Sequence, residues 1–106
     1  METKLYEITA YTENQVGLLS AIAGIFTRRS MNIEKLLVYP SGIAGIHKFK
    51  ILTRSTEDKI RAVVGQIDKK VDVVKAFWEV NNERSEKELT QIAAFLDQRE
   101  TENRSK

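Results

Sequence analysis

The chain has 106 residues, 42% of them hydrophobic and 30% charged, which is room for one globular domain and an ordinary balance for it. It has no cysteine and one histidine, which excludes disulfides, thiolate metal sites and cysteine nucleophiles and leaves a transition metal with carboxylates almost alone. The net charge of +2, from 17 basic and 15 acidic residues, calls for neither a nucleic-acid nor a membrane partner.

Met1-Glu2-Thr3-Lys4 lacks the apolar run of a secretion signal, and no stretch reaches membrane-spanning length, so a small cytoplasmic protein is expected. From Lys4 to Thr12 apolar and polar residues alternate, with Tyr6, Ile8 and Ala10 on one face, which predicts a half-buried strand. Glu13 to Gly17 breaks that pattern. The period then becomes helical, and Leu18, Leu19, Ile22, Ala23, Ile25 and Phe26 form an apolar stripe closed by Arg28 and Arg29. Met31 to Tyr39 reads as a second strand ended by Pro40; both of its faces carry apolar residues, so its register stays open. Ser41-Gly42-Ile43-Ala44-Gly45 has the chemistry of a turn between neighbouring strands.

Ile46 to Thr53 is the clearest strand, with His47, Phe49 and Ile51 on one face and Lys48 and Lys50 on the other. Ser55-Thr56-Glu57-Asp58 offers an N-cap with acids in the first turn, and Ile60, Val63, Val64 and Ile67 make the next helical stripe. Val71 to Val80 is rich in β-branched and aromatic residues and reads as the last strand. Beyond it, Ser85-Glu86-Lys87-Glu88 is a capping box ahead of Leu89, Ile92, Ala93 and Leu96 at helical spacing. Gln98 to Lys106 has no apolar residue and is expected to be disordered. The order strand, helix, strand, strand, helix, strand predicts a split βαβ, or ferredoxin-like, α+β sandwich: two helices on one face of a four-stranded antiparallel sheet, followed by a tail helix.

That fold hosts many functions, so the residues must decide. An acylphosphatase-type phosphate cradle needs an arginine in the first loop; here the loop carries Glu13, and Arg28 and Arg29 lie at the far end of the helix. RNA readers on such sheets want outward aromatics on the central strands, where this chain offers Lys48 and Lys50. His47 reads as a satisfied structural histidine, and Glu57-Asp58 as helix capping. Tyr39, Phe77 and Trp78 fit either a core or a subunit contact. Asn14-Gln15-Val16-Gly17-Leu18 is different. It joins a strand to a helix start, where free N–H groups and the helix dipole favour an anion. Gly17 lets a ligand approach the backbone, Asn14 adds amide donors or an acceptor, and Val16 and Leu18 add apolar walls. The same residues also fit a tight turn with Asn14 as its cap.

Glu13-Asn14-x-x-Gly17-Leu18-Leu19, then Ile25-Phe26-Thr27-Arg28-Arg29-x-Met31-Asn32-Ile33-Glu34-x-Leu36, resembles the ACT domain of acetolactate (acetohydroxyacid) synthase regulatory small subunits. Val38-Tyr39-Pro40-Ser41, Gly45 to Phe49 and Lys69-Lys70-Val71-Asp72-Val73 are similar to the same family, and the likeness runs from about Lys4 to Phe77. The resemblance implies a non-catalytic sensor without a cofactor, in which residues 1–80 form the ACT domain and 81–106 a tail helix and disordered end. It implies a dimer that binds a branched-chain amino acid, valine especially, at its interface, and a thiamine-diphosphate-dependent catalytic large subunit as partner. Carried over by position, Asn14, Gly17 and Leu18 are the effector loop, to which the loop's own chemistry adds Val16, with Asn32 and Ile33 facing it from the start of the second strand. Many family members continue into a second domain. The alternatives are a free-standing ACT sensor serving a different enzyme and a small phosphoryl or acyl hydrolase. The second strand is expected at a sheet edge, where its two-sided apolar pattern favours pairing with a second copy.

Overall fold

In the computed structural model, which describes residues 2–13, 16–81 and 94–98, the period-two pattern at the start of the chain becomes strand β1 (Lys4–Thr12). Tyr6, Ile8 and Ala10 lie buried on one of its faces. Helix α1 (Leu18–Arg28) buries Leu18, Ile22, Ile25 and Phe26. This stripe is narrower than the sequence suggests, because Leu19 sits a full helical step round from Leu18 and is 46% exposed. At the end of α1 the Arg29 N–H returns to the Ile25 carbonyl at 3.2 Å, and Ser30, at φ 53°, reverses the chain.

Strand β2 (Lys35–Pro40) is shorter than the expected Met31 to Tyr39. The residues before it are held by other partners: the Met31 N–H reaches the Phe26 carbonyl at 2.9 Å, and the Asn32 carbonyl accepts the Thr53 hydroxyl at 2.6 Å. With those backbone groups satisfied elsewhere, the ladder starts only at Lys35. Gly42 and Gly45, both at positive φ, turn the chain into β3 (His47–Ser55). That strand runs two residues past the expected end because Arg54 and Ser55 pair with Leu5 and Lys4. Helix α2 (Glu57–Asp68) opens on Thr56, whose hydroxyl accepts the Lys59 N–H, and buries Ile60, Val63, Val64 and Ile67 as the spacing predicts. β4 (Val73–Val80) begins two residues later than expected, after a turn in which the Val73 N–H meets the Lys70 carbonyl at 3.1 Å. The Asp68 carboxylate then ties the helix end to the strand by accepting the Ala76 N–H at 2.8 Å.

The four strands form one antiparallel sheet in the order β2-β3-β1-β4, the predicted βαββαβ architecture, with β2 at an edge. Its helix face and the two helices enclose a single apolar core, with Ile33, Leu36 and Trp78 packed along the margin. Trp78 meets the Tyr6 ring edge-on, the centroids 5.5 Å apart, whereas Tyr39 and Phe77 stay 38% and 44% exposed. Residues 94–98 are helical and include Gln98, which the sequence reading placed in a disordered end. The capping box at Ser85–Glu88, the stripe residues Leu89, Ile92 and Ala93, and residues 99–106 lie outside the described residues. No helix among the described residues is long and apolar enough to cross a membrane.

On the opposite face, Glu7 accepts the Lys50 ammonium, and its other oxygen accepts the Asn81 amide at 3.3 Å. The hydrogen bond that Lys50 donates to Glu7 holds the Lys50 pKa above its ordinary 10.5, with burial working against it. A raised lysine pKa gives stability that is complete below 10.5 and fades as pH climbs through the folded-state value. Glu7→Gln should therefore cost about 1–2 kcal/mol near neutrality, the usual worth of a charged hydrogen bond. Melting curves of wild type and variant should converge in strong alkali; identical curves at neutral pH would show that the pair contributes nothing.

Candidate functional site

The loop after β1 is pinned at its base, where the Glu13 N–H meets the Asp72 carbonyl at 2.8 Å. Asn14 and Gln15 lie outside the described residues. Gly17 is the N-cap of α1 at φ 80°, ψ −24°, and a Cβ there would meet nothing within 4 Å. The backbone conformation, not lack of space, therefore selects glycine. Among the described residues no side chain caps α1, and its first turn holds no acid. Its first N–H groups are left without helical partners, at the positive end of the dipole. Helix α2 offers the contrast, since Thr56, Glu57 and Asp58 already complement its N-terminus. The α1 start is thus the one of the two that still suits a carboxylate. Val16 is 83% exposed and can give an apolar wall, whereas the Leu18 side chain is buried in the core, which leaves its N–H for a ligand.

Asn32 and Ile33 lie elsewhere. Asn32 is exposed just past the far end of α1, and Ile33 packs on the core margin. Thr53, which holds the Asn32 carbonyl, pairs with Tyr6, six residues before Thr12 on β1. That places Asn32 about 20 Å along the sheet from the point where the loop departs. The length of α1, 11 residues, gives a similar separation of about 16 Å. One chain does not bring the two halves together. Around Asn32 is a cavity of about 320 Å³ lined also by Ser30, Glu34, Ser55, Thr56 and Lys59.

Sequence reasoning missed Thr53, because its role depends on a contact 21 residues away. Its hydroxyl fixes the connector that presents Asn32, so Thr53→Val should lower stability by about 1 kcal/mol and weaken any ligand held by Asn32 several-fold. Calorimetry would show this, and unchanged affinity would mean that the connector holds its shape without the bond. His47 departs from the expectation of a satisfied side chain: its Nδ1 is buried without a hydrogen-bond partner among the described residues, and so is Oγ1 of Thr12, directly opposite it in the sheet. Strand pairing fixes both backbones at this position. No three potential metal ligands cluster among the described residues.

Residues 8–75 match the family described as the AHAS small subunit-like ACT domain. A probable acetolactate synthase small subunit from Methanothermobacter thermautotrophicus is 36% identical over 75 residues, 71% of this chain and 45% of that protein. The acetolactate synthase small subunit of Bacillus subtilis is 30% identical over 86 residues, 80% of this chain and 50% of that one. The crystal structure of an acetolactate synthase small subunit from Thermotoga maritima aligns with a TM-score of 0.63 at 26% identity, over 70% of this chain and 46% of that chain. The ACT domain of a GTP pyrophosphokinase from Chlorobium tepidum, at 20% identity, has a TM-score of 0.64 over 81% of this chain and 97% of that one and shares the fold. The chain spans about half the length of the curated relatives it matches.

Proposed function

The chain belongs to the acetolactate synthase small-subunit family of ACT domains, and from that premise we propose that it is a non-catalytic regulatory chain. In this reading it binds a branched-chain amino acid and modulates an acetolactate synthase catalytic subunit. Residues 1–80 are the sensing unit and 81–106 an appendage. The observation that carries the reading is the acid-free start of α1 at the Gly17 turn, uncapped by any side chain among the described residues, which supports a backbone site for an amino acid's carboxylate.

A second copy completes the site. β2 pairs with β3 on one side only, and apart from Leu36 its residues are exposed. Antiparallel pairing of two β2 strands across a two-fold axis sets the start of each beside the end of the other. The end of β2, Pro40, lies in one row with His47 and Thr12, at the base of the effector loop. Asn32 and Ile33 of the second copy thereby approach the Gly17 turn of the first. The effector's carboxylate meets the N–H groups near Leu18, its ammonium meets the side-chain oxygens of Asn14 and the opposing Asn32, and its aliphatic tail lies on Val16 and Ile33.

One methylene more or less in such a site changes affinity by only ~1–3 kcal/mol, so valine, leucine and isoleucine should overlap. Each should raise the melting temperature in a thermal-shift screen, since a ligand of the native state stabilises it by mass action. No shift with any of the three would overturn the effector assignment. Co-purification with an acetolactate synthase catalytic chain supports the partner; retention of a different enzyme instead would favour a free-standing sensor.

A further inference from the structure

The sheet face turned away from the helices is used neither by the effector loop nor by the β2 edge. Cross-strand pairing sets its side chains in rows: Tyr39, Lys48, Tyr11 and Lys75 in one, Leu37, Lys50, Thr9 and Phe77 in the next. Leu37, Tyr39 and Phe77 are large, apolar and well exposed. The Tyr11 and Phe77 rings are 6.3 Å apart, and the Lys48 ammonium lies 5.4 Å from the Tyr11 centroid. An exposed aromatic cluster already packed in place is the composition of an interface centre.

The charge on this face is one-sided. Lys35, Lys48, Lys50, Arg54 and Lys75 share it with two acids, Glu7 and Glu79, so it holds more than the chain's whole excess of +2. Lys50 meets Glu7 and Lys75 reaches Asp68 at 3.9 Å, while no carboxylate among the described residues pairs with Lys35 or Arg54. Two such faces repel each other, which disfavours a second copy as occupant. Lys48 covers one side of the Tyr11 ring, and the directly opposed Glu7 and Glu79 in the next row would repel a phosphate chain, which disfavours single-stranded RNA. A protein surface with carboxylates around an apolar centre fits both features.

We propose that this face docks an acidic protein surface, which, resting on the regulatory reading above, is that of the acetolactate synthase catalytic subunit. The test uses the full-length chain, the catalytic chain encoded by the same organism, and two variants, Lys48→Glu/Lys75→Glu and Phe77→Ala. Both variants should keep the wild-type dimer mass and valine thermal shift. Both should bind the catalytic chain at least about tenfold more weakly by interferometry. Wild-type association should weaken as salt rises, and association of the double variant should depend on salt far less. Undiminished binding by both variants overturns the docking face alone. A wild-type chain that never binds the catalytic subunit overturns the regulatory reading and this proposal with it. Loss of dimer mass in the variants would assign the face to a second copy, and oligoribonucleotide binding that they abolish would assign it to RNA; either result contradicts the proposal.

Discussion

Gly17→Asp is expected to abolish valine binding while leaving a folded protein. The new carboxylate would stand at the start of α1, where the effector's own carboxylate is proposed to sit, and would take the same N–H groups. A side chain at φ 80° costs about 1–2 kcal/mol, and aspartate is among the residues that tolerate this region best. A Cβ there meets no neighbour within 4 Å, so the fold has room for it. Losing one charged hydrogen-bond set and gaining a like charge should weaken binding by about a hundredfold or more. Calorimetry would measure this, and undiminished binding would show that the loop is only a turn.

Phe49→Ala should have the largest effect on stability. Phe49 is fully buried on β3, paired with Ala10 on one side and Val38 on the other. Truncating it removes a ring from the centre of the core and leaves a cavity, at a cost of about 3–5 kcal/mol. A domain of this size has about 5–15 kcal/mol in all, so the variant should be close to unfolding at ordinary temperature. Leu19→Ala, at a position 46% exposed, is the control and should cost about 0.5 kcal/mol or less. Urea melts would order the two. Equal midpoints would mean that the burial pattern does not describe this core.

The architecture was legible because each element carries its own period. Tyr6, Ile8 and Ala10 mark a strand, and Ile60, Val63, Val64 and Ile67 mark a helix, whatever surrounds them. Boundaries failed where tertiary contacts decide them. Met31 and Asn32 look like strand residues but are captured by Phe26 and Thr53, and Arg54 and Ser55 extend β3 only because β1 lies alongside. Leu19 shows the limit of counting apolar residues on a helix, since its neighbour Leu18 alone faces the core. In the site, the glycine at the helix start was readable from chemistry, because that turn demands a residue free at positive φ. That Gly17 and Asn32 stand at opposite ends of the sheet was not readable, because separation in space follows from register and helix direction. The proposed dependence on a second copy rests on that separation.

Asn32→Ala removes the proposed ammonium acceptor on the opposing chain and should also abolish valine binding, so mixing it with Gly17→Asp tests the two-copy site most directly. In a heterodimer of Gly17→Asp with Asn32→Ala, one site combines both defects and the other is fully wild type. Random exchange of subunits should therefore restore about a quarter of the wild-type sites, because half the dimers are mixed and each holds one intact site. Calorimetry with valine on the co-refolded mixture should give that reduced stoichiometry at wild-type affinity, while each variant alone gives no binding. A mixture that stays silent, although the mixed dimer is present by mass and the wild-type protein binds, would place the whole site within one chain and contradict the account.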